Sequence, residues 1–280
     1  MAKFRRALIE IGNECNLRCY FCAKSRRSKV IMPVEKFEFA AKQVNEFAKV
    51  ISLHLLGEPL LHPDFPEIIV VAEKLGLSLN LVTNGTLAAS YGDEVWGKKC
   101  FRQVTFSAQS LSCFAPEKQK EKIAEYVEFA KRNCRRFKVS FRLRGDLGSS
   151  FVRSIAGQFM MAFGHFSNGG GQDKPLEWNG QPFTLAERIF LNHGEIFSWR
   201  GGRPQQAPCL GLRHHFGILS DGTVVPCCAD YDGAMAIGNI FKTPLAEILL
   251  SPKTLALRRA IEGKEGPMPE YCKGCGFIMP

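Results

Sequence analysis

Three thiols fall inside the stretch NECNLRCYFC: Cys15, Cys19 and Cys22, with Phe21 directly before the third. The spacing Cys-x3-Cys-x2-Cys provides three thiolate donors, one fewer than a closed structural zinc site takes, and no fourth Cys or His stands nearby in sequence. A three-thiolate loop suits a cubane 4Fe–4S cluster that keeps one iron open. An open iron can chelate the amino and carboxylate groups of a methionine-derived ligand, and reduction through it can break a carbon–sulfur bond. The chain carries 11 cysteines. An odd, clustered set in a chain without a secretory signature reads as metal ligation rather than a disulfide framework.

A second group of thiols lies towards the end: Cys209, Cys227, Cys228, Cys272 and Cys275. Asp221-Gly222 stands between two apolar runs there, a strong hairpin signal. This tail is too small to hold together comfortably by apolar burial, and a metal would supply the missing stability. Four-thiolate zinc is the alternative to an iron–sulfur cluster at that site.

Both groups need a scaffold. Phe37, Ala40, Ala41, Val44, Phe47 and Ala48 repeat at helical spacing over 33–50, and Ile123, Val127, Ala130 and Cys134 do so over 116–134. A third helix is expected at 64–76, with Pro66 in its first turn and Gly76 at its end. Further helices are expected around 150–162, near 184–192, and at about 244–250 and 253–262. Strand-like runs occupy 7–11, 51–56, 77–83, 101–107, 137–143 and 195–199. Repeated strand–helix units predict a parallel sheet or barrel, whose chemistry gathers at the C-terminal strand ends.

At 280 residues, 45% hydrophobic and 23% charged, the chain has the composition of an ordinary globular protein. It has no apolar run of the ~20 residues that cross a bilayer, and its first residues lack a signal peptide's apolar segment and cleavage site. A cytoplasmic location without membrane association is expected. The net charge of +10 is spread along the chain, so an anionic small molecule or an acidic electron donor suits it better than nucleic acid.

CNLRCYFC resembles the cysteine loop of the radical S-adenosylmethionine (SAM) superfamily, in which an aromatic residue, here Phe21, precedes the last cysteine. Later motifs extend the likeness. LGEPLLHPDF (56–65) is similar to the superfamily's Gly-Gly-Glu-Pro turn, with Leu56 in place of its first glycine. Thr83, Asn84 and Gly85 follow the third strand, and Ser107 and Gln109 the fourth. The resemblance implies a partial (β/α)6 TIM-type barrel over 1–204, followed by a β-hairpin and helix cluster-binding domain over 205–280. It implies SAM contacts from Phe21, Gly57, Glu58, Pro59, Thr83, Asn84, Ser107 and Gln109, the last two near the SAM ribose or the substrate. His54 and His62 are expected to be structural.

The tail is similar to the short twitch form of the SPASM domain, because no cysteine lies between Cys228 and Cys272. That implies one auxiliary 4Fe–4S cluster on Cys209, Cys227, Cys272 and Cys275, with Cys228 the alternative to Cys227. Two clusters and SAM are thus the expected cofactors, with a flavodoxin- or ferredoxin-type protein as reductant. Within the superfamily the motifs most resemble the branch that oxidises a secondary alcohol of an aminocyclitol. They include Ser198 to Gly202, VVPC, Gly238 to Ile240 and Cys-Lys-x-Cys, whereas 145–192 shows no clear match.

The implied reaction takes a hydrogen atom from a carbinol carbon of a sugar or aminocyclitol; a base takes the hydroxyl proton and the electron leaves through the auxiliary cluster, giving a ketone. Arg200 is the candidate anchor for substrate or the SAM carboxylate. The alternative is epimerisation, in which a thiol returns hydrogen to the opposite face. Cys113 and Cys228 are better placed for that than Cys100 or Cys134. A third alternative is modification of a peptide.

Overall fold

The computed structural model describes residues 4–165, 180–196 and 209–276. In chain order the elements are β1 (Arg6–Ile9), α1 (Val34–Phe47), β2 (Ile51–Ser52), α2 (Phe65–Lys74), β3 (Leu79–Thr83) and α3 (Asp93–Trp96). There follow β4 (Phe101–Ser107), α4 (Pro116–Asn133), β5 (Lys138–Arg144), α5 (Ser150–Ala162), β6 (Phe183–Ala186) and β7 (Ile189–Gly194). The chain continues through β8 (His215–Ile218), β9 (Thr223–Val225), β10 (Gly238–Asn239), α6 (Leu245–Leu250), α7 (Pro252–Ile261) and α8 (Glu270–Lys273). This is the expected α/β class. Among the described residues no helix is long and apolar enough to cross a membrane.

Two compact units are present; the described residues of the first are 4–16, 21–79 and 209–276. Its strand order is β10-β9-β8-β1-β2. β1 pairs parallel with β2 and, from Arg6↔His215 to Ile9↔Ile218, with β8. The hairpin of the cysteine-rich tail therefore shares a sheet with the first strand. Asp221 and Gly222 make its turn: the Asp221 carboxylate accepts from Thr223 N at 2.9 Å, and Gly222 takes φ +84°. Helix α1 buries Phe37, Ala40, Ala41 and Val44, four of the positions that set its period.

His215 begins β8 beside Arg6, with Nε2 buried and without a hydrogen-bond partner among the described residues. Burial, then the charges of Arg6 and His214, lower its pKa from 6.5 to about 4. The folded state thus binds a proton less readily than the unfolded chain. Stability is full above pH 6.5, falls as the pH drops towards 4 and is level below that. Lowering the pH from 7 to 5 is expected to remove about 2 kcal/mol. Urea unfolding at both values checks this, and His215→Gln should remove most of the difference.

The second unit's described residues are 17–20, 80–165 and 180–196. Its strand order is β3-β4-β5-β7-β6, with β4–β5 and β5–β7 parallel and β6–β7 antiparallel. The tract 184–192, expected as a helix, is this β6–β7 pair, turning through Arg188 at φ +61°. Leu185 and Ile189 are spaced for either structure. Pairing with β5 decides, because alternate residues Ile189 and Leu191 then enter the core. The strand expected at 195–199 falls mostly outside the described residues, and its first two positions, Glu195 and Ile196, follow the end of β7 without strand structure.

Register divides this sheet into two faces. Phe106, Phe141 and Leu191 are cross-strand partners on one. They pack on the helices: Phe106 lies 4.7 Å from Tyr126 of α4, and Phe141 stacks at 4.2 Å on Phe159 of α5. The adjacent partners Ser107, Arg142 and Asn192 point to the opposite, polar face.

Candidate functional site

In the first unit β1 delivers the chain into the cysteine loop, and a carboxylate at the strand's end ties together three segments remote in sequence. Glu10 is fully buried. Arg27 Nη2 donates to both of its oxygens at 2.8 Å. Leu56 N donates at 3.1 Å, Ser220 N at 3.2 Å and Ser220 Oγ at 3.0 Å. One side chain thus joins the chain beyond Cys22, the residue before the Gly-Glu-Pro turn, and the tail hairpin. The residue was not singled out from sequence. The available signal was a lone carboxylate closing the apolar run ALIE.

The Gly57-Glu58-Pro59 turn lies against the segment preceding Cys15. Glu58 N donates to Glu14 O at 2.7 Å. Gly57 takes φ +78°, and a Cβ there would fall on Gly12 O and within 2.9 Å of Asn13 Cα and Glu14 O. Gly57→Ala is therefore expected to cost at least about 1–2 kcal/mol from the backbone alone, which thermal unfolding checks. The buried Glu58 carboxylate accepts from Leu60 N at 3.1 Å, and Pro59 begins a 3₁₀ turn. His62 is structural, as expected: Nδ1 accepts from Asp64 N at 3.1 Å, leaving Nε2 to donate to Met32 O at 2.9 Å.

Cys15 and Cys22 are exposed, and partial desolvation by the surrounding loop, then the charge of Cys15, raise the pKa of Cys22. The tail thiols interact more strongly. Burial pushes Cys227 well up, helped by Cys228 and Cys209. Cys272 is pushed up to about 12 by burial, then by Cys209, Cys275 and Asp230. Cys228 is raised by burial and by Cys209 and Cys275. Gly211 N donates to Cys209 Sγ at 3.3 Å, and a Cβ on Gly211 would sit 3.2 Å from Cys227 Cβ. Among the described residues no three Cys, His, Asp or Glu side chains form a closed metal-binding group. The donor set nevertheless fits an iron–sulfur cluster, since soft thiolates whose charges repel one another in a buried site call for a soft cation.

In the second unit Cys19 Sγ and Cys113 Sγ are 3.5 Å apart, Cys113 standing on the 3₁₀ turn after β4. Gln109 lies on the same turn, 6% exposed, its Oε1 without a partner among the described residues. A buried polar atom left open in this way suits a polar ligand. Thr83 and Asn84 shape their own turn: Thr83 Oγ1 accepts from Gly85 N at 2.9 Å, and Asn84 Oδ1 from Thr86 N at 2.9 Å. Ser107 Oγ accepts from Arg142 Nη2 at 3.1 Å. Arg142 and Arg144 were missed from sequence, since strand register alone puts them beside Ser107. Phe21 is half-buried in the first unit. Cys134 caps α4 and Cys100 is buried. Arg200 lies outside the described residues.

Comparisons with known proteins agree with this donor chemistry. Residues 9–143 match the radical SAM superfamily, and residues 209–276 match SPASM, an iron–sulfur cluster-binding domain. The chain thus carries a radical SAM domain and a SPASM domain. Its cofactors are accordingly SAM, the 4Fe–4S cluster of the first domain and the iron–sulfur complement of the second.

A 2-deoxy-scyllo-inosamine dehydrogenase of Niallia circulans is 20% identical over 96% of this chain and 92% of its own length. A PqqA peptide cyclase of Xanthomonas axonopodis is 23% identical over 96% of this chain and 79% of that protein. Another, from Streptomyces rochei, is 34% identical, but the match spans 28% of this chain and 22% of that protein. Among solved structures, BtrN in complex with AdoMet and 2-DOIA superposes with a TM-score of 0.57 at 18% identity, covering 99% of this chain and 95% of BtrN. Streptococcus suis SuiB bound to precursor peptide SuiA gives 0.63 at 14% identity, covering 99% and 70%. These likenesses establish the fold.

Proposed function

We propose that the protein oxidises a secondary alcohol of a sugar or aminocyclitol-type small molecule to a ketone. The observation that carries this reading is the near end-to-end match, over 96% of this chain and 92% of its relative, with a dehydrogenase of an aminocyclitol. Bound at an open-iron cluster, SAM would supply the means to take a hydrogen atom from a carbinol carbon, with a base taking the hydroxyl proton.

Cys15, Cys19 and Cys22 would hold that cluster. Phe21, Gly57, Glu58 and Pro59 would line the SAM site. Gly57 lets the turn approach the cysteine loop, and Pro59 stiffens its exit. Thr83 and Asn84 support the site through the turn they shape, while Ser107 and Gln109 offer polar atoms to ribose or substrate. Cys209, Cys227, Cys272 and Cys275 would hold one auxiliary 4Fe–4S cluster as the electron exit. Cys228 is the alternative to Cys227, since Cys228 feels the charges of both Cys209 and Cys275. Arg200 would anchor substrate or the SAM carboxylate, and a flavodoxin- or ferredoxin-type protein would be the reductant.

Reconstituted protein supplied with SAM, reductant and a panel of aminocyclitols and activated sugars is expected to release 5′-deoxyadenosine and a product about two mass units lighter. Cleavage of SAM with no lighter product from any alcohol would sink the oxidation.

One contact favours a second reading. Cys113 lies 3.5 Å from Cys19, so this thiol could return hydrogen to a substrate radical and the net reaction would be epimerisation. Turnover in heavy water separates the two: epimerisation leaves one solvent deuterium on carbon, and Cys113→Ser should remove it. Modification of a peptide would instead appear as a mass change in peptide added to the same assay.

A further inference from the structure

We infer that Arg144 anchors an anionic oxygen group, a carboxylate or phosphate, on the substrate at the C-terminal ends of β4, β5 and β7. The inference rests on the proposed function only in taking the occupant of this strand end to be the substrate.

Arg144 is the last residue of β5 and shares its polar face with Ser140 and Arg142. Cross-strand register aligns Ser107 with Arg142 and Asn192, and Arg144 with Gly194. Two guanidinium groups, a hydroxyl and an amide thus sit on one face of three adjacent strands, opposite the face that carries the aromatic core. In parallel α/β sheets this end is where ligands bind.

Charge balance singles out Arg144 within that group. It is half-buried, and burial lowers its pKa. Its Nη1 donates to Glu195 O at 3.3 Å, and among the described residues it enters no ion pair. The nearby Asp146 carboxylate is turned to Gly148 N at 2.9 Å, and His193 Nε2 meets Gly145 O at 2.6 Å. Removing a guanidinium from water without a carboxylate is costly, and its planar fork of donors suits a carboxylate or phosphate.

Room for this posture is built into the opposite strand. A Cβ on Gly194 would collide with Arg144 Nη1 and lie 2.8 Å from Cζ. Glycine at 194 therefore lets the guanidinium lie across β7. Asn192, two residues earlier on the same face, donates through Nδ2 to Ser140 Oγ at 2.6 Å, which steadies the floor of the polar strip.

The test is binding without turnover. Calorimetric titration of the cluster-loaded protein uses D-glucose 6-phosphate, D-glucuronate and neutral D-glucose as probes, and SAM is titrated separately. At least one anionic sugar should bind about tenfold or more tightly than glucose, the worth of a charge-assisted hydrogen bond. Preference for the phosphate or the glucuronate arm identifies which anion is read. Arg144→Gln should erase that preference while leaving SAM affinity within about twofold, and Arg144→Lys should restore part of it. Equal binding of all three sugars by the native protein would overturn the inference. So would an Arg144→Gln protein that loses SAM affinity as strongly as sugar-anion affinity, which would assign the residue to the cofactor. A failed alcohol oxidation leaves this binding result standing, and failed anion binding leaves oxidation of neutral alcohols standing.

Discussion

Replacing Glu10 with alanine is expected to lower the unfolding free energy by about 3–5 kcal/mol. The side chain is wholly buried and accepts from Arg27, Leu56 N, Ser220 N and Ser220 Oγ. Truncation would leave the Arg27 cation, itself only 14% exposed, without its counter-charge, and would strand one buried and one partly buried backbone N–H group. Each stranded donor carries its own desolvation cost of about 1–3 kcal/mol. These costs overlap, so the lower sum is the safer expectation. Glu10→Gln keeps the shape but loses the charge and should fall between. Urea unfolding of the metal-free protein measures the loss, and iron content after reconstitution should fall in parallel. A loss below about 1 kcal/mol, the worth of a surface pair, would show that these segments are held together by something other than the carboxylate.

Each of Cys15→Ala, Cys19→Ala and Cys22→Ala is expected to reduce 5′-deoxyadenosine formation by at least about a hundredfold. Even the residues that merely orient metal ligands are worth about 10–100-fold, and these three thiols would be the cluster's ligands themselves. Iron and sulfide per chain should drop, with the remainder belonging to the auxiliary thiols. Cys134→Ala is the control, because Cys134 caps α4 with its thiol directed to Lys131 O at 3.5 Å. Cleavage of SAM that survives any of the three substitutions would remove that thiol from the ligand set and with it the reading of the loop.

The thiol chemistry could be read from the chain alone because valence and spacing are local properties. Three cysteines within one short loop can offer three donors in whatever fold presents them. The same holds for the period of α1 and for the Asp221-Gly222 turn, each set by residues a few positions apart. Tract 184–192 shows where local reading stops, since its apolar spacing allows helix or strand and pairing with β5 makes the choice.

The polar arrangement was decided only in three dimensions. Glu10 meets partners 17, 46 and 210 positions away. Arg142 and Arg144 share a face with Ser107 because two parallel strands happen to be in that register. Hydrogen bonds reach only about 3 Å, so which donors serve a buried carboxylate, and which cation is left to wait for an anion, depends on packing between segments remote in sequence.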